Sequence, residues 1–323
     1  MSKLTEPVPR IAVYYEHPEW FEPMFAELER RGVPYERLLA HQHSFDPGAR
    51  RSPYSLVLNR MSPSAFKRGH AHAIPYTLQY LAHLEEIGAN VLNGYHAYRY
   101  EFSKARQLGL LARLGLRYPR ARVINHPSQA PRAAEGLSYP VVIKPNIGGS
   151  GAGIEKFDTP AELTAAALTG RFDLGLDHTA LVQEYLAPRG ASVVRVEVLG
   201  GEFLYAIRLR LESPTSFNLC PADYCRPQDG GLRDGVSGRG VPVEGYTPPQ
   251  EVIEAVKRIT REAHIEVGGV EYLVNDRDGE IYYYDINALS NFVADAPNVV
   301  GFDPFPRLVD FVTARAALPV GIT

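Results

Sequence analysis

Two groups of residues in this chain have types and spacings that suit chemistry. The first lies in Tyr139–Phe157, YPVVIKPNIGGSGAGIEKF. Val141, Val142 and Ile143 read as a short buried strand with Lys144 at its end. Gly148, Gly149, Gly151 and Gly153, with Ser150 among them, crowd the stretch before a second β-like run begins at Ile154. A nucleotide polyphosphate suits such a strand, loop and strand: backbone N–H groups unobstructed by Cβ turn inward on charged oxygens, with a lysine close by as a point charge. The loop is expected to be mobile alone and to close over a triphosphate as a lid. The bland alternative is a hairpin loop with an incidental lysine. A P-loop and a dinucleotide fingerprint are both excluded, because Lys144 precedes the glycines and a strand, not a helix, follows them.

The second group lies in two apolar runs, Gly269–Asn275 and Glu280–Asn287, joined by Asp276-Arg277-Asp278-Gly279. A three-residue turn with Gly279 left-handed pairs Asp276 with Glu280 and sets Glu271 opposite Asp285. Asn287, two residues on, shares their face. A loop of even length would turn Glu271 to the other face. Facing carboxylates repel. A divalent cation removes the conflict, and three hard oxygen ligands are what Mg²⁺ takes in phosphoryl-transfer sites, with Mn²⁺ as a substitute. Asp285→Asn is expected to relieve repulsion in the metal-free protein. The alternative is a solvated acidic face.

These residues need elements to hold them. Arg10–Tyr15, Tyr35–Leu39 and Tyr54–Leu58 read as strands, with helices at Glu19–Arg31 and near Pro75–Ile87 and a strand at Asn90–Leu92. This alternation predicts a small parallel α/β domain. Ligands gather at the carboxyl ends of such strands. Arg60, read as following the third strand, is a candidate substrate contact or else a solvated loop arginine. Glu101–Leu114 reads as one amphipathic helix with Lys104 in its first turn, Pro160–Leu168 as another, and Ala180–Leu186 as a strand. The tail of that strand, Gln183, Glu184, Tyr185 and Leu186, could read an adenine edge through its backbone, or simply be core. Ser192–Leu199 and Glu202–Leu211 form a hairpin around Gly200-Gly201. Arg195, Arg208 and Arg210 lie in it and need anionic partners, either phosphate oxygens or structural salt bridges. A long loop, Ser213–Pro249, leads to a helix at Gln250–Ala263 with Val252, Ile253, Val256 and Ile259 inward.

At 323 residues the chain has room for two or three domains. A net charge of −3 with 22% charged residues gives no basic excess for nucleic acid, so phosphate binding must be local. No run approaches the length of a membrane span and the start has no apolar signal core, so a cytoplasmic protein is expected. Cys220 and Cys225 have no partner cysteines for a zinc site or a disulfide framework.

Taken together, Lys104, VVIKP with its glycine loop, VQEYL, the hairpin VRVEVLGGEFLYAIRLR, and GVEYLV followed by YYYDIN resemble the ATP-grasp superfamily. Within it, the chain resembles the RimK-like and glutathione-synthetase-like carboxylate–amine ligases. The likeness covers roughly residues 100–315. It implies an α/β and α+β architecture: an N-terminal parallel domain at 1–99, a central subdomain with the glycine loop at 100–187, and a C-terminal subdomain with the metal site at 188–323. ATP would be clamped between the two α+β subdomains.

By this resemblance, Lys104 and Lys144 contact phosphates or adenine, Gly148–Gly153 cover the triphosphate, and Gln183–Leu186 line the adenine pocket, with Arg195 close to the nucleotide. Glu271, Asp285 and Asn287 hold Mg²⁺, and Arg208 or Arg210 steadies the transferred phosphate. Arg60, Asn218, Ser290 and Asn291 are candidate substrate contacts, and acceptor choice is expected in Ser213–Gly240 and near Arg60. The implied chemistry is attack of a carboxylate on the γ-phosphate, then displacement of phosphate from the acylphosphate by an amine. The substrates are an amino acid or small peptide and an amine, and a homo-oligomer is compatible with all of this. Two departures stand out. The family often has D-x-R where this chain reads Val193-Val194-Arg195, and N-L-H-R-G-G where it reads Asn218-Leu219-Cys220-Pro221-Ala222-Asp223. A phosphotransferase with a hydroxyl acceptor and a non-catalytic nucleotide-binding module are the competing readings.

Overall fold

A computed structural model describes residues 10–149, 151–211 and 243–318. Ser150, Asn218, Cys220, Cys225 and the stretch Ser213–Gly240 expected to choose the acceptor lie outside the described residues. The chain divides into two compact units, Met1–Tyr98 with Phe302–Thr323, and Arg99–Gly301.

The first unit holds β1 (Ile11–Tyr15), α1 (Glu22–Arg30), β2 (Tyr35–Leu39), β3 (Leu56–Arg60), α2 (Ala73–Glu86), β4 (Val91–Leu92) and the start of α3 (Tyr95–Glu101). Its strands pair in parallel in the order β2-β1-β3-β4, the α/β arrangement that the alternation predicts. β1 and β3 are buried along their whole length, as strands covered on both faces must be. Arg60 belongs to β3 rather than to a loop after it. It is 2% exposed and its guanidinium lies 5.4 Å from the centre of the Phe21 ring, which rules out a solvated arginine.

In the second unit come α4 (Lys104–Arg113), β5 (Ala121–Ile124), α5 (Ala130–Ala133), β6 (Val141–Pro145), β7 (Glu155–Phe157), α6 (Pro160–Thr169) and β8 (Ala180–Glu184). These four strands form a sheet in the order β5-β8-β6-β7. Next are β9 (Ser192–Leu199), β10 (Glu202–Arg210), β11 (Val243–Tyr246), α7 (Gln250–Glu262), β12 (Val267–Val274), β13 (Ile281–Asn287) and α8 (Ala296–Val300), with a sheet ordered β11-β10-β9-β12-β13. The chain then returns to the first unit with α9 (Phe305–Ala316), which packs on α1 and β3.

Three expectations are corrected. Residues 302–323, expected in the C-terminal subdomain, belong with the N-terminal unit. The expected single helix over Glu101–Leu114 is broken: α3 ends at Glu101, and Ser103 caps α4 by accepting from Arg106 N–H. The stretch after β10 ends in a strand, since β11 pairs with it.

The turn between β12 and β13 differs as well. Asn275 N–H donates to the Glu280 carbonyl, so four residues, not three, form the loop, with Gly279 at φ +76° as expected. Such a loop should have flipped Glu271 to the other face. It does not, because the register shifts beside Tyr284: Tyr272 pairs with Tyr283, whereas Glu271 pairs with Asp285. One extra residue in β13 cancels the even loop.

Candidate active site in the second unit

Register lays out the face of the five-stranded sheet as two rows, since residues directly opposite one another project to the same side. One row runs Ile207, Arg195, Glu271, Asp285 across β10, β9, β12 and β13. The next runs Tyr205, Glu197, Gly269, Asn287. Glu271, Asp285 and Asn287 therefore share a face.

The two carboxylates do not wait for a metal to balance them. Asp285 accepts from Lys104 Nζ at 2.6 Å, and Glu271 accepts from Arg195 Nη1 at 3.2 Å. Arg195 Nε also donates to Glu197 at 2.6 Å. Burial alone would raise the Asp285 pKa, but the charges of Lys104 and Lys144 outweigh it and hold the group below the ordinary aspartate value. Glu271 goes the other way, raised by burial and by Asp285. Lys144, buried at the end of β6, is lowered to about 8 by its burial and by Lys104. Burial would lower Lys104 too, yet the Asp285 carboxylate raises it. Two lysines and one arginine thus meet three carboxylates, Glu197, Glu271 and Asp285, on this face, and Lys144 is the cation held closest to neutrality.

Local structure explains why Lys104 and Lys144 converge. Asn146, two residues beyond Lys144, accepts from Ser103 Oγ and from Ala105 N–H at 3.0 Å each, and its carbonyl accepts from Lys104 N–H. Its amide donates to Asp177. This pins the first turn of α4 to the start of the glycine loop. On the far side of Lys104, Glu101 accepts from Ala288 and Leu289 N–H at 2.5 and 3.2 Å, and burial and nearby Asp285 push it up to about 7. Asn146, Glu101 and Glu197 escaped the sequence reading. For Glu197 a signal existed: a carboxylate alternating with Arg195 in a strand otherwise mostly of valines.

The glycine loop joins β6 to β7, which pair antiparallel, so strand, loop and strand is what forms. Gly151 and Gly153 have φ +71° and +72°. Of the expected adenine strand, Glu184 N–H is bound to the Arg120 carbonyl and Tyr185 N–H to the Pro140 carbonyl. The Glu184 carboxylate accepts from Arg120 and from Ser138 N–H. Edge reading by Glu184 and Tyr185 N–H is therefore blocked, and Gln183 is buried within the sheet. Leu186 lies just beyond these bonds.

Arg208 and Arg210 are not in the site. Arg208 pairs across the sheet with Val194 and Glu244, placing both arginines on the face opposite Arg195 and Glu271. Each meets Glu244 at 3.3 Å, and Arg208 lies 4.0 Å over the Tyr246 ring. For these two, the structural salt bridge is the answer. Beyond β13, Ser290 is fully buried with its Oγ accepting from Phe292 N–H, and the buried Asn291 Oδ1 has no hydrogen-bond partner. Arg60 belongs to the other unit.

Among the described residues no three His, Cys, Asp or Glu side chains are grouped as a metal site. The set Glu271, Asp285 and Asn287 has two carboxylates and an amide instead. Its chemistry fits a hard cation, and the buried Asn287 Nδ2 lacks a partner. Turning that amide over would present an oxygen there.

Comparison with known proteins defines the class of molecule first. The chain has the ATP-grasp fold: it superposes on the ATP-grasp ligase PsnB, complexed with a minimal precursor, with a TM-score of 0.65 at 19% identity over 94% of this chain and 99% of that one. D-cycloserine synthetase DcsG gives 0.65 at 16% identity, covering 95% and 99%. More particularly, residues 102–217 match the family model described as RimK-like ATP-grasp domain. A protein of Teredinibacter turnerae named "Probable alpha-L-glutamate ligase" is 32% identical over 134 residues, which is 41% of this chain and 44% of the relative. The carbamoyl phosphate synthase large chain of Thermus thermophilus is 27% identical over 199 residues, 59% of this chain and 18% of that one. The chain thus matches less than half the length of these curated relatives. No described helix is long and apolar enough to cross a membrane.

Proposed function

We propose that this protein is an ATP-dependent carboxylate–amine ligase that activates the carboxylate of an amino acid or small peptide as an acylphosphate and passes the acyl group to an amine. The carrying observation is the convergence of Lys104, Lys144 and Arg195 with Glu271 and Asp285 on one face of the second unit. Lys104 and Lys144, held at the start of the glycine loop, suit a triphosphate; two carboxylates and Asn287 suit the ion that accompanies it. Mg²⁺ held by Glu271, Asp285 and Asn287 would neutralise phosphate charge. Lys144 and Lys104 would bind phosphate oxygens, and Leu186 would sit at the adenine.

In the first half-reaction a carboxylate oxygen bonds to the γ-phosphorus and ADP leaves with the electron pair. In the second, the amine nitrogen bonds to the acyl carbon and phosphate departs. The protein contributes orientation and charge. Support for an amino acid or peptide comes from the relative named a glutamate ligase and from PsnB, solved with a precursor peptide and AMPPNP and also with Mg and ADP. The test is ADP release from ATP with a panel of amino acids and peptides, with hydroxylamine present. Hydroxamate formation is expected; ADP release with a stable phosphate ester and no hydroxamate would make it a phosphotransferase instead.

A further inference from the structure

Glu197 is 1% exposed, and only half of its carboxylate is in use. Oε1 accepts from Arg195 Nε at 2.6 Å, while Oε2 is buried with no hydrogen-bond partner. A buried carboxylate oxygen left unsatisfied is costly and calls for a reason. Beneath it lies Gly269, paired across the sheet with both Glu197 and Asn287. A Cβ at 269 would stand 2.9 Å from Oε2 and 3.1 Å from Arg195 Nε, so the missing side chain is what lets the carboxylate lie there.

On the other side of Glu197 in the same row, the Tyr205 hydroxyl accepts from Val293 N–H at 2.9 Å. That bond anchors the segment carrying Asn291, whose Oδ1 is a second buried acceptor without a donor. The Asn291 amide can be turned over, so the firm observation is the single unmatched carboxylate oxygen of Glu197, which asks for an N–H donor. Resting on the ligase reading, we propose that Glu197 recognises the amino group of the amine substrate, with Oε2 accepting one of its N–H bonds beside the row that holds Arg195, Glu271 and Asp285.

The test titrates a panel of amino-acid amides onto the full chain saturated with MgADP, comparing the natural protein with Glu197→Gln and Gly269→Ala. Gln removes an acceptor with little change of shape; Ala at 269 crowds the carboxylate and the Arg195 Nε beside it without altering charge. At least one amide should bind the natural protein at saturating MgADP, and both variants should weaken it by about tenfold or more, the loss of one charge-assisted hydrogen bond. Equal binding by all three proteins, no amide binding, or Glu197-dependent binding of Mg²⁺ alone would overturn the assignment. If amides bind through Glu197 but no ADP is released with any carboxylate, the ligase reading fails and the amine site stands.

Discussion

At the scale of single residues, charge pairing inside the site reverses one expectation and creates another. The facing carboxylates looked like a source of repulsion, yet Asp285 is the counter-charge of Lys104 and also lies in the field of Lys144. Asp285→Asn should therefore destabilise the metal-free protein. Removing one partner of a buried pair costs about 3–5 kcal/mol, and the partial exposure of this one (14% and 21% for the two side chains) brings the expected loss nearer ~2 kcal/mol. Urea unfolding in the presence of a chelator measures it, and a variant more stable than the natural protein would restore the repulsion picture.

Lys144 gives a pH dependence. Its folded pKa, lowered to about 8, lies below that of a free lysine, so the unfolded chain binds more protons between about pH 8 and 10.4 and stability rises through that window as the lysine discharges. Phosphates draw the proton back. ADP binding near pH 8 should take up a proton, read by calorimetry in buffers of different ionisation enthalpy, and Lys144→Met should abolish the uptake. Identical enthalpies in all buffers would show the lysine already fully charged.

Elements rather than residues decide where these charges stand. The cap at Ser103 starts α4 at Lys104 and at the same time ties it to Asn146. Ser103→Ala should cost about 1–2 kcal/mol in folding and weaken ADP binding as well. An intact ADP affinity would show the cap to serve the helix alone. That break was hidden in the sequence because apolar periodicity runs through Glu101–Leu114 without a proline or glycine before Gly109, and a lone serine is a weak stop. Period-two alternation and the Gly200-Gly201 turn, by contrast, gave β9 and β10 almost residue for residue.

The pairing of Glu271 with Asp285 was legible, though through a turn of the wrong length and without the bulge beside Tyr284 that compensates it. Bulges leave no mark in hydrophobic pattern when tyrosines fill the strand on both faces. The misplacement of Arg208 and Arg210 is of another kind. Alternation alone sets them opposite to Arg195 once Ile207 is known to face it, but which residues face each other across a hairpin depends on the turn.

Over the whole molecule, α9 comes back to pack on the first unit. Arg31 pairs with Asp310 and donates to the Pro306 carbonyl, and Asn90 donates to the Arg315 carbonyl. A chain cut after Gly301 should therefore keep the second unit folded while the first loses its stability, which hydrogen exchange resolved by segment would display. Full protection of β1 and β3 in the truncated chain would make α9 dispensable. The strands of the parallel sheet are translated before the second unit and the helix that completes their packing after it, with some two hundred residues of another folding unit between them. The nascent parallel sheet must wait, incompletely covered, until the second unit has been made, so a cell short of chaperones should lose this protein through that sheet rather than through the second unit.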